Sequence, residues 1–410
     1  MAEKKIPQIR HLRFDDEWET TKLGNIANRI TRKNSSMEST LPLTISAQYG
    51  LVDQSLFFNS QIASQNISNY YLLLNGEFAY NKSTSQYYPV GAVKRLDRYD
   101  MGVLSTLYIL FKPTEGISSD YLATYFDADY WHKEIKLRAA EGARNHGLLN
   151  ISPDDFFNID LNLPKDIDEQ QAIGTFLQKL DLLVSQRRDK LEKLQNLKSS
   201  MLEKMFPKDG SVVPEVRFKG FEKPWQTIYL GDIASEITRT DKTSEAPIMM
   251  ITAANGFIDQ SDRYSFNNAG QSLAKYIILK KGELAYNHGA SKLRPYGSCF
   301  ALDVDEARIP YVYHCFTISD HNPYFVSRVL NNKETEKQLR KLVTSGARMD
   351  GLLNISYEEY TTVSIQLPER DEQDRIADYF KNLETLIVLC QQELDKLQSL
   401  KKGLLEKMFV

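Results

Sequence analysis

Apolar residues recur at alternating intervals of four and three positions in two long stretches of the chain, residues 173–205 and 376–408. This heptad spacing puts them on one side of a helix and predicts two coiled-coil helices. An amphipathic helix lying on a globular domain is the alternative, but it explains poorly why both stretches share one length and period. The seam positions are Ile173, Leu177, Leu180, Val184, Arg187, Leu191, Leu194, Lys198, Met201 and Met205, then Ile376, Phe380, Leu383, Ile387, Cys390, Leu394, Leu397, Lys401, Leu404 and Met408.

Prolines mark the limits of both helices. Pro164 precedes the first helix and Pro207 follows it, while Pro368 precedes the second, which runs to residue 410. Acidic residues near each start resemble capping boxes, in which a side chain accepts a hydrogen bond from the backbone three residues on. These predicted caps are Asp168 with Gln171, and Asp371 with Asp374.

The remainder of each half mixes short apolar runs with helical segments. YYLLL, STLYILF and DLNL have the length and composition of buried strands, whereas SSDYLATYFDADYWHKEIKLRAAEG has a helical pattern. Gly, Pro and Asn separate these runs often. The pattern predicts a globular domain of mixed α/β (α+β) class, and LLNIS is expected to be a core strand.

The whole chain is a tandem duplication of a unit of about 205 residues. The offset between matching segments falls only from 207 at the start to 203 at the end, so small loop differences separate the copies. The matching pairs are 6–32 with 213–239, 45–55 with 251–261, 75–81 with 281–287, 142–152 with 346–356, and 191–206 with 394–409.

Connectivity then predicts how the two helices pair. The order is globular domain, helix, globular domain, helix, so the second helix must run back along the first to bury its seam. We expect an antiparallel pair with a pseudo-two-fold axis, about 50 Å long at ~1.5 Å per residue. Phe409 should return close to Pro7, and the lysines that interrupt both seams, Lys198 and Lys401, should reach solvent near the ends of the pair. The predicted domains are 1–165, 166–207, 208–369 and 370–410.

Composition narrows the class of protein without identifying a partner. The formal net charge is −3, so a nucleic-acid-binding chain would have to concentrate its basic residues locally. The N-terminal residues lack the apolar stretch of a signal peptide, and no apolar run is long enough to span a bilayer. Cys299, Cys315 and Cys390 show no CxxC spacing, which suggests free thiols and a reducing cytoplasm.

No catalytic motif is found. The chain has no phosphate-binding GxxxxGK[ST] loop, no HExxH zinc motif and no GxSxG nucleophile elbow. His321-Asn322-Pro323-Tyr324 is similar to the Asn-Pro-Pro-Tyr motif of amino-methyltransferases, but it lacks the second proline and a glycine-rich donor loop, so we interpret it as a turn. We therefore expect neither a cofactor, nor a metal site, nor catalytic residues.

Two related domains at a fixed separation suit a long polymer with a periodic repeat. Successive major-groove faces of B-DNA lie about 34–36 Å apart, so a pair of helices about 50 Å long could hold two modules roughly one turn apart. Because the copies are related but not identical, they would read two different half-sites separated by base pairs that neither copy touches.

The helix starts LPKDIDEQQAIGTFLQKLD and LPERDEQDRIADYFKNLE, with the LEKMF-like helix ends, resemble the specificity (S) subunit of type I restriction–modification systems over essentially the entire chain. The resemblance implies two target recognition domains and two spacer helices that dock methyltransferase subunits. It also implies a subunit without catalysis of its own, which binds double-stranded DNA with two methyltransferase and two restriction subunits. Those partner subunits carry the methyl-donor and ATP sites.

Positions that differ between the copies are the candidate base readers, whereas identical positions favour frame or backbone contacts. After the shared AYN the copies diverge, with KSTSQYYPVGAVKRLDR in the first and HGASKLRPYGSCFALDV in the second. Arg and Lys suit guanine, and Gln suits adenine. A solvated loop without such a role is the alternative. The candidates are Lys82, Ser83, Gln86, Tyr87, Lys94 and Arg95 in the first copy, and His288, Ser291, Lys292 and Arg294 in the second.

A second candidate segment is GAR, at 142–144 and 346–348, which follows a basic helix in each copy. Its glycines favour a tight turn close to a partner. We interpret Arg144 and Arg348 as phosphate anchors, and Asn145 with His146, which become Met349 with Asp350, as variable readers. Arg340 of the preceding basic helix is a further candidate. The alternative is an arginine that pairs with a carboxylate of the chain and holds the turn.

The exposed faces of the helices allow two interpretations. Lys190, Lys193 and Lys396 could form a solvated surface, while the resemblance implies a docking face for methyltransferase subunits. The rival function is a coiled-coil scaffold that joins two protein- or ligand-binding domains, and a self-contained methyltransferase is a second rival.

Overall fold

The structure, a computed structural model, describes residues 5–46, 49–58, 66–86, 88–139, 148–208, 210–262, 270–343 and 352–410. Its contacts divide the chain into two compact units. Unit 1 comprises Met1–Lys190 with Cys390–Val410, and unit 2 comprises Leu191–Leu389. Each unit therefore contains one globular part and a portion of both long helices, so the units do not coincide with the predicted domains.

The elements of the first half, in chain order, are β1 (Glu19–Lys22), α1 (Leu23–Ile26), β2 (Ala27–Ile30), β3 (Leu43–Ser46), β4 (Gly50–Asp53), α2 (Gln54–Phe58), β5 (Tyr71–Leu74), β6 (Phe78–Asn81), β7 (Ala92–Arg95), β8 (Met101–Leu104), β9 (Ile109–Pro113), α3 (Ser119–Tyr125), α4 (His132–Arg138), α5 (Pro153–Phe157), β10 (Asp160–Leu163) and the long helix α6 (Ile167–Lys204).

The elements of the second half are β11 (Gln226–Tyr229), β12 (Ala234–Glu236), β13 (Met249–Thr252), β14 (Gly256–Asp259), β15 (Ile277–Lys280), β16 (Leu284–Asn287), β17 (Ser298–Ala301), β18 (Glu306–Ile309), β19 (His314–Ile318), α7 (Pro323–Leu330), α8 (Lys333–Leu342), α9 (Tyr357–Thr361), β20 (Ser364–Leu367) and the long helix α10 (Arg370–Lys407). Short 3-10 helices lie at Leu230–Asp232, Gln260–Asp262 and Gly270–Lys275.

The two units repeat one sheet topology, as the duplication predicts. A four-stranded antiparallel sheet has the order β2-β9-β6-β7 in unit 1 and β12-β19-β16-β17 in unit 2. Two-stranded ladders surround it, β1-β10, β3-β4 and β5-β8 in unit 1, and β11-β20, β13-β14 and β15-β18 in unit 2. The predicted mixed α/β class, and the strands expected at YYLLL, STLYILF and DLNL, are confirmed as β5, β9 and β10.

One aromatic pair forms the centre of the core in both units. The rings of Tyr80 and Phe156 stack with centroids 4.5 Å apart, and those of Tyr286 and Tyr360 stack at 4.0 Å. All four side chains are fully or almost fully buried. The pair joins the central strand of the four-stranded sheet to α5 or α9, so each sheet is held in the same position relative to the helix that follows LLNIS.

LLNIS itself is not the core strand that its composition predicts. Leu148 and Leu352 each make a single bridge, and no regular strand includes the segment. Ile151 and Ile355 are nevertheless buried at 3% exposure. The segment contributes side chains to the core, while the backbone of its first two residues pairs with the start of the neighbouring hairpin loop.

The long helices pair in opposite directions within each unit, as predicted. In unit 1, Asp181 and Arg187 contact Lys401 and Glu393, so residue numbers rise along α6 as they fall along α10. In unit 2 the same opposition relates Lys198 to Glu384 and Phe206 to Phe380. All of the predicted seam residues are buried or half-buried.

Each helix end meets the start of the neighbouring globular part in the same way. The backbone N–H of Ile9 donates to the carbonyl of Lys407 at 2.9 Å, and that of Val216 donates to Lys204 at 2.9 Å. Phe409 packs against Trp18 with ring centroids 6.2 Å apart, which confirms the predicted return of the second helix to the N-terminal segment.

Two expectations about the helices are wrong. Asp168 lies inside the first turn of α6, and the hydrogen bond at that end comes instead from Asp166, whose Oδ1 accepts from the Asp168 N–H at 2.8 Å. The second concerns the seam lysines, which pair with carboxylates instead of extending freely into solvent, and whose side chains are 20% (Lys401) and 33% (Lys198) exposed. Lys401 Nζ lies 2.9 Å from Asp127 and 2.6 Å from Asp181, and Lys198 Nζ lies 2.8 Å from Glu384. Nearby carboxylates replace part of the water around each ammonium group.

Candidate nucleic-acid interface

The predicted reading loops are hairpin connections of ten residues, 82–91 between β6 and β7 and 288–297 between β16 and β17. Both end on a glycine in the left-handed region, Gly91 at φ +79° and Gly297 at φ +83°. A Cβ there would lie 2.1 Å from the carbonyl oxygen of Asn81, or 2.6 Å from that of Asn287. Only glycine fits this approach, so both loops close in the same way.

Inside each loop a serine holds the same four-residue turn. In unit 1 the N–H groups of Ser85 and Tyr88 each donate to the carbonyl of the other at 3.1 Å. In unit 2 the Ser291 N–H donates to the Arg294 carbonyl, and the Arg294 N–H donates to Ser291 Oγ, both at 3.0 Å. In unit 2 the residues between these two ends, Lys292 and Leu293, form the apex of the loop.

The second predicted reading segment borders the first. Leu149 N–H donates to the carbonyl of Lys82 at 3.0 Å, and Leu353 N–H donates to that of His288 at 2.9 Å. The residues that follow the GAR segment are thus held against the start of the hairpin loop in each unit. The GAR residues Arg144, Asn145, His146 and Arg348 lie outside the described residues, as does Tyr87.

The candidates of unit 1 fall into two groups. Ser83 and Gln86 are exposed, and Lys82 is half-buried. Lys94 and Arg95 lie on β7 beyond the loop and form ion pairs within the domain. Lys94 Nζ lies 2.6 Å from Asp127, and Arg95 lies 2.6 Å from both Asp97 and Asp120. These contacts give the two basic side chains a structural role, and their predicted contact with bases remains a prediction.

His288 in unit 2 is buried at 8% exposure. Its Nδ1 lies 2.8 Å from the carbonyl oxygen of Leu353, and its Nε2 lies 2.8 Å from that of Val312. The ring therefore links the hairpin loop to two neighbouring segments, and its position inside the domain favours a supporting role over contact with a base.

Arg294 also turns inward. Its guanidinium donates to the carbonyl of Asn331, where α7 ends, while its Nε is buried without a hydrogen-bond partner among the described residues. Burial lowers the pKa of this guanidinium from its usual value, and the carboxylate of Glu336 opposes that effect. Ser291 and Lys292 are exposed, so Lys292 is the cation that the loop presents to solvent.

The basic helices beside the loops present cations on their outer faces. Ile135 of α4 and Leu339 of α8 are the buried apolar residues that fix each helix on its core. Lys133 and Lys136 on α4 and Arg340 on α8 are exposed. Arg138 pairs instead with Glu134 on its own helix.

One exposed loop residue was missed by the sequence reasoning. Leu293 stands at the apex of the second turn, between Lys292 and Arg294, with 63% of its surface exposed. The serine that both loops share at matching positions, Ser85 and Ser291, was the signal that could have placed it there. An apolar side chain at this position could contact a thymine methyl group.

The LP…DEQ segments that carry the resemblance prove to be structural. Arg10 forms a bidentate ion pair with Glu169 at 2.5 and 2.7 Å, and Arg217 forms the same pair with Glu372 at 2.7 Å twice. The two glutamates are 2% and 1% exposed. Each pair ties the segment before the globular part to the start of a long helix.

The glutamine of the same motif fixes the start of a short helix of the globular part, α3 in unit 1 and α7 in unit 2. Gln170 Oε1 accepts from the N–H of Ser118, the cap of α3, and its Nε2 donates to the Pro164 carbonyl. Gln373 contacts Asn322 and Pro368 in the same way. The side chain of Asn322 caps α7 by accepting hydrogen bonds from the N–H groups of Tyr324 and Phe325. The His-Asn-Pro-Tyr sequence therefore begins a helix and is not an isolated turn.

Each long helix carries further apolar residues at one heptad position outside the seam, and together we call them the outer apolar stripe. Five of its side chains are 42% to 52% exposed, and Tyr379 is half-buried. Large exposed apolar residues that repeat every seven or fourteen positions favour packing of a further helix. The stripe consists of Phe176, Leu183 and Leu400 in unit 1, and Leu197, Tyr379 and Leu386 in unit 2.

The described residues contain neither a metal-ligating cluster nor a membrane-spanning helix. No group of three or more His, Cys, Asp or Glu side chains that could hold a metal ion occurs in the part of the chain that the structure describes. Within that part, no helix has both the length and the apolar character needed to cross a membrane. The three cysteines are free and buried, as their spacing predicts.

Comparison with known proteins agrees with this architecture, although no family model matches the chain. The chain is 21% identical to the type I restriction enzyme MjaVIII specificity subunit of Methanocaldococcus jannaschii over 439 aligned residues, which cover 98% of this chain and 94% of that protein. It superimposes on the S subunit of a type I restriction–modification system from M. genitalium with a TM-score of 0.58 and 13% identity, over 98% and 99% of the two chains. The HsdS subunit from Thermoanaerobacter tengcongensis matches with a TM-score of 0.41 and 16% identity, over 96% of each chain. The resemblance stated from the sequence is confirmed, and so is the fold.

Proposed function

We propose that this chain is the DNA sequence-recognition subunit of a type I restriction–modification complex. It binds an asymmetric bipartite target and directs methyltransferase and endonuclease subunits to that target. One observation carries the proposal. Both units build a hairpin loop on the same scaffold, with the same closing glycine and the same serine turn, but the exposed residues of the two loops differ.

Each loop would read one half-site together with the GAR segment beside it. In the first half we assign base contacts to Ser83, Gln86, Tyr87 and the pair Asn145 with His146. In the second half we assign them to Lys292 and Leu293. Arg144, Arg348 and Arg340 would hold phosphates, which position the protein without reading sequence. Lys94, Arg95, His288 and Arg294 would support the loops from inside.

The outer apolar stripe is the proposed docking face for the methyltransferase subunits. Its matching residues in both halves suit two copies of one partner. The relatives named above are specificity subunits, which supports a division of labour in which methyl transfer and ATP-dependent cleavage belong to partner subunits. This chain then contributes recognition and no catalytic residue.

The assembled complex provides the test. Methylome sequencing of the source organism, with and without this gene, should reveal one asymmetric bipartite site whose methylation disappears with the gene. Binding of the complex to that site should weaken steeply with salt, because phosphate contacts release counterions. A flat dependence of log K on log salt would contradict DNA recognition and favour the protein-binding scaffold, while methyl transfer by the purified chain alone would favour an enzyme.

A further inference from the structure

Unit 1 contains an open groove of about 450 Å³ beside the first residue of the outer apolar stripe. The groove lies between the N-terminal segment and the beginning of α6, and the ring of Phe176 in its wall is 49% exposed. Its other lining residues include Arg13, Asp168, Ala172, Thr175 and Lys179.

Unit 2 fills the matching place with its own chain. Phe218 packs edge-on against Tyr379, the counterpart of Phe176, with ring centroids 5.9 Å apart. The guanidinium of Arg375 lies over the same assembly, 5.4 Å from the Phe218 ring and 5.9 Å from the Phe221 ring. The second copy thus shows which side chain this site accepts: an aromatic ring that packs against the aromatic residue of the helix.

Two replacements leave the site open in unit 1. The counterpart of Phe218 is His11, which packs instead against Phe14 with centroids 5.9 Å apart. The counterpart of Arg375 is Ala172, which is too short to cover the ring of Phe176. The groove therefore keeps the wall that an aromatic ring needs, while no ring from the described part of unit 1 packs against Phe176 there.

The charges around the two places also differ. In unit 1, Arg13 and Lys179 face the groove with only Asp168 against them. At the matching positions of unit 2, Gly220 and Asn382 are neutral, and Asp371, Asp374 and Asp378 outnumber Arg375. The open groove is the more positive of the two, so it favours an occupant with acidic neighbours.

We propose that the groove beside Phe176 takes an aromatic side chain from an acidic segment of a protein partner, in the first half of the molecule only. The proposal rests on the function proposed above for the identity of that partner, the methyltransferase subunit. The two docking faces are then unequal, because only the face of unit 1 has an anchoring pocket. A buried aromatic anchor commonly dominates the affinity of an interface.

The test is a titration of the full-length chain with its methyltransferase subunit, followed by calorimetry and by sedimentation to count the bound copies. We expect a stronger and a weaker binding step. Phe176→Ala should weaken the stronger step at least about tenfold. The double change His11→Phe with Ala172→Arg, which copies the residues of unit 2 into unit 1, should do the same by filling the groove.

The reciprocal change provides a gain of binding. Phe218→His with Arg375→Ala should open the groove of unit 2 and strengthen the weaker step. Tyr229→Ala is the matched control, since it removes an aromatic ring that is 60% exposed at another place and should leave both steps as they are.

The proposal is overturned if the Phe176 and groove-filling variants bind both copies as the wild type does, or if the methyltransferase subunit does not bind the chain. The function proposed above fails in a different way, namely if the assembled complex binds DNA without sequence preference. Methylation of the target by a complex of Phe176→Ala, assayed at saturating methyltransferase subunit, separates the two failures.

Discussion

The seam lysines of the two halves occupy the same heptad position but are stabilised by different neighbours. Lys401 contacts Asp181 on the opposite helix and Asp127 of the globular part, and Lys94 pairs with the same Asp127. Among the residues that the structure describes, Lys198 pairs with Glu384 alone, and Glu384 also accepts a bidentate pair from Arg328. Both halves keep a carboxylate opposite the lysine, whereas the ion that the globular part adds is an anion in one half and a cation in the other.

The comparison teaches which part of a buried charge cluster a duplicated fold must retain. Asp181 and Glu384 are matching residues, so the contact between the helices is common to both copies. The charged residue that the globular part adds differs between the copies, and it is Asp127 in unit 1 and Arg328 in unit 2. Four sets of variants test how far the halves are equivalent, and they are described in order of decreasing effect.

The buried arginine–glutamate pairs should give the largest effect. Arg217→Met and Arg10→Met each leave a buried carboxylate without its cation, which costs about 3–5 kcal/mol in the free energy of unfolding. Arg217→Met should cost more, because Trp18 Nε1 lies 3.4 Å from Glu169, while Trp225 Nε1 has no partner among the described residues. Chemical denaturation measures both.

Lys223→Met is the control for these arginine variants, since its pair with Glu369 is exposed and should contribute at most about 0.5 kcal/mol. If Arg10→Met destabilised the protein no more than this control, the buried pairs would not hold the helix starts.

The seam lysines should separate the halves more clearly. Lys401→Met takes the cation from Asp181, whose side chain is 40% exposed, and one of two cations from Asp127, so it should cost about 2 kcal/mol. Lys198→Met should cost only about 1 kcal/mol, because Glu384 keeps both hydrogen bonds from Arg328. Adding Asp181→Leu to Lys401→Met should recover stability, because Asp127 keeps Lys94. Equal costs in the two halves would show that the neighbours from the globular parts are irrelevant.

Lowering the pH should change the stability of the two halves differently, because of Asp127. Burial raises the pKa of this carboxyl, but Lys94 and Lys401 lower it further, and the result is a pKa of about 2. This folded-state pKa is lower than the unfolded value of about 3.9, so ionised Asp127 stabilises the folded protein by about 2 kcal/mol at pH values above about 4. The contribution is lost as the pH falls from about 4 to 2. The matching residue in unit 2 is the neutral Asn331.

Denaturation of the wild type and of Asp127→Asn at several pH values between 5 and 2 measures this contribution. The stability difference between the two proteins should shrink as the pH falls. A difference that stays constant over this range would mean that Asp127 does not interact with the two lysines.

Variants of the reading loops should give the smallest changes in free energy, but these changes should be confined to one half-site. Gln86→Ala should relax the preference at one base pair of one half-site by about 1 kcal/mol, and Lys292→Ala should do so in the other half-site only. Arg340→Ala should instead weaken binding to all sequences alike and reduce the slope of log K against log salt by about one. Binding to a panel of single-base variants of the target separates these outcomes, and an effect of Gln86→Ala in both half-sites would refute the separation of readers.

Sequence reasoning succeeded where the information is periodic or repeated. The heptads predicted which residues of α6 and α10 are buried, and connectivity alone gave their antiparallel direction. It did not anticipate the ion pairs of Lys94 and Arg95, which carry the charge of a DNA-binding loop and face carboxylates of α3 and of the segment that follows it. No spacing in the sequence indicates that Asp127 or Asp120 lies opposite β7, since that proximity comes from packing of a helix on a sheet.

The sequence by itself determined the duplication, the helical seam and the positions at which the copies diverge, because each of these is a pattern along the chain. Tertiary structure decided the roles of single charged residues. It placed His288 and Arg294 inside the domain and Leu293 at the apex of its loop, and it covered Tyr379 with Phe218 while leaving Phe176 open. The physical reason is that solvation, pairing and burial depend on the residues that folding brings together, and these are distant in the sequence.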